Sequence, residues 1–171
     1  MEETNTTTEE TDFENNSPEA IAEADKEKFL KSMLTDQPYE ETISLLDGQL
    51  NVTFKTMTVE ENGDVVEQIT LDKENSIAEN SDAYFITIST YRLAQCLVAT
   101  DDKPYSSISK KDFIPALEDK TNTYVSARAK AMQQWPTFKL SAFLAAFNIF
   151  EAKVIALTKA VQQQNFWKAS A

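Results

Sequence analysis

The sequence predicts a mainly α fold of the α+β kind: one α-rich helical domain over residues 17–171, a small β-hairpin within it, and a disordered acidic N-terminal arm over residues 1–16. Three observations lead there. Leu140, Phe143, Phe147, Phe150, Val154, Leu157 and Val161 recur at spacings of three and four, which writes one continuous apolar seam along a long helix. Apolar residues alternate with polar ones only around Asp47 and Gly48, the mark of paired strands. Residues 1–16 hold Glu2, Glu3, Glu9, Glu10, Asp12 and Glu14 with no cation, and bury too little apolar area to offset the entropy of ordering them.

Composition sets the limits of function. With 171 residues, 42% of them hydrophobic, the chain can form a core without disulfides or metal as staples. Lys and Arg number 16 against 28 Asp and Glu, a formal charge of -12, so neither nucleic acid nor an anionic membrane is an expected partner. The absence of histidine removes the commonest general base and metal ligand, and two glycines cannot write a Walker loop or a dinucleotide fingerprint. Cys96 is the one cysteine and sits in an apolar helical pattern, where it reads as a small buried hydrophobe compatible with a reducing compartment. No window reaches about 18 apolar residues and the first residues are acidic and polar, so the chain is expected to be soluble and not secreted.

Taken in order, Ser17 and Pro18 open a helix expected to run to Leu34, with Ile21, Phe29, Leu30, Met33 and Leu34 crowded toward its end; Pro38 closes it. The hairpin follows. Residues 43–46 and 49–56 are its strands, Asp47 and Gly48 its two-residue turn, and Leu50, Val52 and Phe54 share one face that must lie on helices or a neighbouring subunit. Thr58 and Glu61 have capping-box spacing before a short helix over 59–72, despite Gly63 inside it. Residues 73–80 read as loop.

Ser81 and Asp82 cap a longer helix expected to reach Ala99, with Tyr84, Phe85, Ile88, Tyr91, Leu93, Leu97 and Val98 around most of its circumference. Arg92 on it calls for a carboxylate partner that the sequence does not name. After a break over 101–104, Ser109 is expected to cap a helix carrying Phe113, Ile114 and Leu117. Helical spacing continues over 119–134 through Tyr124, Val125, Ala129 and Met132, and Trp135 with Pro136 separates it from the last helix.

The acidic pairs Glu40 and Glu41, Glu60 and Glu61, Asp101 and Asp102, and Glu118 and Asp119 stand at helix starts or in loops, where solvated or dipole-favouring roles are usual. No catalytic residue, metal site or cofactor site is expected. Contact features are better marked. The seam residues Phe143, Phe147, Phe150, Val154 and Leu157 read either as the spine of the domain's own core or, in part, as a surface packed against a copy or partner. Phe166 and Trp167 either fold back onto the core or enter a partner's pocket. The hairpin face of Leu50, Val52 and Phe54 is the third candidate contact.

Three blocks together resemble small proteins of tailed bacteriophages, encoded among tail and virion genes and regarded as tail assembly chaperones or minor structural proteins. The first is DKEKFLKSMLTDQPYEETISLLDGQLNVTFKTMTVEE over 25–61, the second Tyr91, Arg92, Leu93 and Ala94 with Leu97, and the third FNIFEAKVIALTKAVQQQNFW over 147–167. The resemblance implies a non-enzymatic role in tail assembly or in the virion. Its expected partners are other phage tail or virion proteins, with a homo-oligomer or larger assembly, located in the virion or host cytoplasm. The acidic arm lies outside the resemblance. A rival reading is an acidic binding module that captures a basic partner protein.

Overall fold

The structure, a computed structural model, describes residues 22–74, 82–105, 110, 112–115 and 123–163. Among the described residues, five helices and four strands follow in the order α1 (Glu23–Leu34), β1 (Glu40–Leu45), β2 (Leu50–Lys55), α2 (Val59–Glu74), α3 (Asp82–Cys96), β3 (Leu97–Thr100), β4 (Lys103–Pro104), α4 (Tyr124–Gln133) and α5 (Thr137–Gln163). The fold is mainly α with a small antiparallel sheet of order β1-β2-β3-β4. The acidic arm and the helix start at Ser17 and Pro18 fall outside the described residues.

Local chemistry explains the ends of these elements. Asp36 closes α1 in the left-handed region at φ 54°, and the Gln37 amide donates to the Ser32 carbonyl at 3.1 Å, the long bond of a Schellman ending. The Thr58 hydroxyl accepts from the Glu61 amide at 3.1 Å while the Glu61 carboxylate accepts from the Thr58 amide at 3.0 Å, so the expected capping box opens α2. Thr123 and Ser126 form a second reciprocal box at the start of α4. Gly63 lies within α2, whose end at Glu74 is two residues beyond the expected 72.

The hairpin strands pair as the alternation requires, with Ile43 opposite Val52 and Leu45 opposite Leu50. The turn differs from expectation. Residues 46–49 form a four-residue connection with positive φ at Leu46, Asp47 and Gly48 (53°, 53° and 86°). A two-residue turn with positive φ at both central positions does occur, at Asp101 and Asp102 (47° and 60°), where it joins β3 to β4. The Asp101 carboxylate accepts from the Asn51 amide at 2.9 Å and the Asp101 amide donates to the Asn51 carbonyl at 2.8 Å, fixing that turn to β2.

Two helical expectations are corrected. The helix assigned through Ala99 ends at Cys96, and Leu97 enters β3 directly, pairing Phe54 with Leu97 and Val52 with Thr100 across a bulge. The free edge of β2 offers ladder hydrogen bonds, and the sequence Leu-Val-Ala-Thr suits the pleat at least as well as a helix. Phe113, Ile114 and Pro115 are not helical; Phe113 instead sets its ring against Tyr124, centroids 6.0 Å apart at 63°. Leu117, Ser81 and residues 119–122 lie outside the described residues.

One face of the sheet is solvated, carrying the cross-strand pairs Thr42 to Thr53 at 2.8 Å and Ser44 to Asn51 at 2.7 Å. The other lies on α5. Val52 and Phe54 are fully buried against Phe143, Phe147, Phe150 and Leu157, with Leu93, Ala94, Cys96 and Met132 closing the same core. A second cluster of Val65, Tyr91, Val125 and Ala129 joins α2, α3 and α4, and Met57 packs against both. Beside it, Asp72 is 2% exposed and accepts from the Tyr91 hydroxyl and the Gln68 side-chain amide, each at 2.7 Å. The Gln68 carbonyl oxygen in turn accepts from the Thr123 hydroxyl.

Candidate functional site

The contact candidates that the structure describes lie on α5 and on β2. The inner face of α5 carries the seam: Phe143, Phe147, Phe150 and Leu157 are buried, and Leu140, Leu144, Val154 and Val161 are half-buried against the same core. The seam is held by rings. Phe150 stands 6.3 Å from Tyr39 at 9°, 5.7 Å from Phe54 and 6.3 Å from Phe147; Phe143 meets Trp135 at 5.0 Å. The hairpin face supplies the opposing surface, with Val52 and Phe54 buried and Leu50 half-buried.

The two sets expected as contact surfaces therefore cover each other within one chain. As docking residues for a partner, Phe143, Phe147, Phe150, Leu157, Val52 and Phe54 are corrected to core residues, because the same apolar complementarity that suits an interface is satisfied by the hairpin. Leu50 and Val154 border that core. Phe166 and Trp167 lie outside the described residues.

The outer face of α5 was not singled out by spacing. Phe138, Ile149 and Ile155 are 78%, 62% and 56% exposed, and Ser141, Ala145, Asn148, Ala152 and Lys159 are exposed between them. The most apolar stretch within Thr137–Gln162 has a mean hydropathy of 1.7, yet only 28% of it is buried. By length and composition alone such a helix could cross a membrane, but its inner face is packed on its own sheet and charged residues are anchored along its length. Glu151 pairs with Arg92, answering the carboxylate that this arginine called for. Lys153 bridges Asp25 at 2.9 Å and Glu41 at 2.6 Å, tying α5 to α1 and β1. Lys139 lies 4.2 Å above the Trp135 ring.

Between the start of α2, α3 and α5 opens a cleft of about 320 Å³, floored by Phe147, Phe150 and Cys96 and edged by Met57, Arg92 and Glu151. That is near the small end of ligand pockets. Its two charged side chains, Arg92 and Glu151, pair with each other. Burial raises the Glu151 carboxyl above its ordinary range even though Arg92 acts against the shift. Burial, followed by the Glu151 charge, pushes the Cys96 thiol up to about 12, which keeps it protonated and poorly nucleophilic at neutral pH.

The acidic pairs have structural employment where they are described. Glu41 accepts from the Tyr39 hydroxyl at 2.9 Å as well as from Lys153. Glu60 meets Lys110 at 2.8 Å, and Glu61 joins Lys55 while capping α2. Burial of Glu61 raises its carboxyl, but the Lys55 and Thr58 hydrogen bonds outweigh that and leave it below its ordinary value. Asp101 and Asp102 form the β3–β4 turn. Among the described residues, no group of three or more Cys, Asp or Glu is placed to hold a metal ion.

Compared with known proteins, the chain matches no family model, no curated sequence and no solved structure.

Proposed function

We propose that this chain is a non-enzymatic bacteriophage protein that works by protein contact, either as a tail assembly chaperone or as a minor structural component of the virion. The observation that carries the contact role is the outer face of α5, an exposed apolar strip on a helix whose inner face is already satisfied. Contiguous exposed apolar surface on an otherwise acidic chain is the ordinary mark of a protein interface. The phage assignment is supported by the three sequence blocks in their order, and a role without catalysis by a chain that has no histidine to act as base or ligand. Its working places are the virion and the host cytoplasm, and its partners other tail or virion proteins.

Quantitative mass spectrometry of purified virions and of infected lysate separates the two roles. Stoichiometric copies in the virion identify a structural component; abundance in lysate with depletion from the virion identifies a chaperone. A coding gene outside any phage tail neighbourhood refutes both. The charge of -12, half of it contributed by residues 1–16, favours one rival, an acidic module that captures a basic protein. That rival requires salt-sensitive capture that disappears when residues 1–16 are removed.

A further inference from the structure

We propose that a second copy of this chain covers the outer face of α5, the two helices running antiparallel about a two-fold axis that passes between Asn148 and Ile149. This deepens the contact reading of α5 and rests on it, while being independent of the phage assignment.

Charge selects the occupant. The chain carries -12 overall, yet the strip of Phe138, Ser141, Ala145, Asn148, Ile149, Ala152, Ile155 and Lys159 contains no carboxylate. The one carboxylate on α5, Glu151, is held by Arg92. Two copies of so acidic a protein repel over most approaches, and this strip lets them meet without opposing like charges at its centre.

The strip is also self-complementary under a two-fold operation. An antiparallel copy sets Ala145 opposite Ala152, Ala142 opposite Ile155 and Phe138 opposite Lys159. Small residues facing one another allow the helix axes to approach to about 8 Å. The Lys159 stem lies along the Phe138 ring with its ammonium over the face, a favourable cation and ring contact at each end. At the axis the two Ile149 side chains pack together. The two Asn148 amides, each both donor and acceptor, can bond across it, the device by which a single polar residue in an apolar seam fixes register. From Phe138 to Lys159 the strip is about 32 Å long at the helical rise.

The test uses the full chain. Sedimentation equilibrium over rising concentration is expected to show a species of twice the 19.3 kDa of one chain. Ile149→Glu places two carboxylates at the axis and should weaken self-association by roughly a hundredfold with circular dichroism and melting unchanged, because Ile149 is exposed in the monomer. Ala152→Glu should act in the same direction. Asn148→Cys should form a disulfide-linked dimer under mild oxidation, since buried Cys96 supplies no competing thiol. A monomeric mass at all concentrations overturns the proposal, as does a dimer indifferent to both charged variants. Flotation of the chain with phosphatidylcholine vesicles that Ile149→Glu abolishes also overturns it, assigning the face to lipid. A coding gene outside any phage tail neighbourhood leaves the pairing intact and removes only the phage reading.

Discussion

Phe150→Ala probes whether the seam is core or interface. The ring is buried and contacts Tyr39, Phe54 and Phe147, which come from the approach to β1, from β2 and from the preceding turn of α5. Replacing a buried phenylalanine by alanine costs about 3–5 kcal/mol through lost transfer energy and the cavity left behind. Three ring partners on different elements cannot collapse together into that space, which puts the expected loss toward the upper part of the range. With a urea slope of about 2 kcal/mol/M for a domain of this size, the unfolding midpoint should fall by about 2 M. Circular dichroism or tryptophan emission from Trp135, which lies against Phe143 in the same core, follows the transition. A loss below about 1 kcal/mol accompanied by a change of mass in sedimentation would place Phe150 at an interface and refute the assignment of the seam to the core.

Three further outcomes follow from the geometry. Tyr91→Phe removes one donor from buried Asp72 and should destabilise by about 1–3 kcal/mol in urea titration, with no loss if the network is dispensable. Gly63→Ala should stabilise by about 0.5–1 kcal/mol, read as a raised melting temperature, because Gly63 is helical and an added methyl meets nothing within 4 Å. Glu61→Gln keeps the capping box but not the ion pair to Lys55. The folded-state carboxyl of Glu61 is held below its ordinary 4.5, so its contribution is present above that pH and is lost as pH falls through the lowered folded value. The variant should therefore lose less stability than the parent on acidification, and at neutral pH should cost no more than about 1 kcal/mol for a pair that is partly exposed.

Local patterns were the legible part of this fold. The capping box at Thr58, the hairpin register through Ile43 and Val52, the break at Trp135 and Pro136, and the apolar seam of α5 each depend on residues close in sequence. What escaped depends on distant partners. Leu97 and Val98 fit helical spacing as well as a strand, and only the free edge of β2 decides between them. The turn at Leu46 puts an ordinary side chain at positive φ, which no residue preference announces, while Asp101 and Asp102 looked like a simple helix break.

The contact residues show the same division. Spacing found the seam of α5 and the apolar face of the hairpin, but could not tell that each is the other's partner. Because α5 carries large apolar residues on its outer face as well as its inner one, choosing the most regular seam selected the buried face and passed over Phe138, Ile149 and Ile155. The signal that could have found them was the helix's lack of carboxylates outside Glu151, in a chain where acidic residues are abundant.

Helix α5 is thus assigned two apolar faces with different owners. Hydroxyl-radical footprinting of the full chain, read residue by residue by mass spectrometry at low and high protein concentration, tests it most directly. Phe143, Phe147, Phe150 and Leu157 should be protected at every concentration, whereas Phe138, Ile149 and Ile155 should be modified in dilute solution and become protected as concentration rises. Modification of Phe147 and Phe150 in the dilute folded chain, with protection only on concentration, would contradict it.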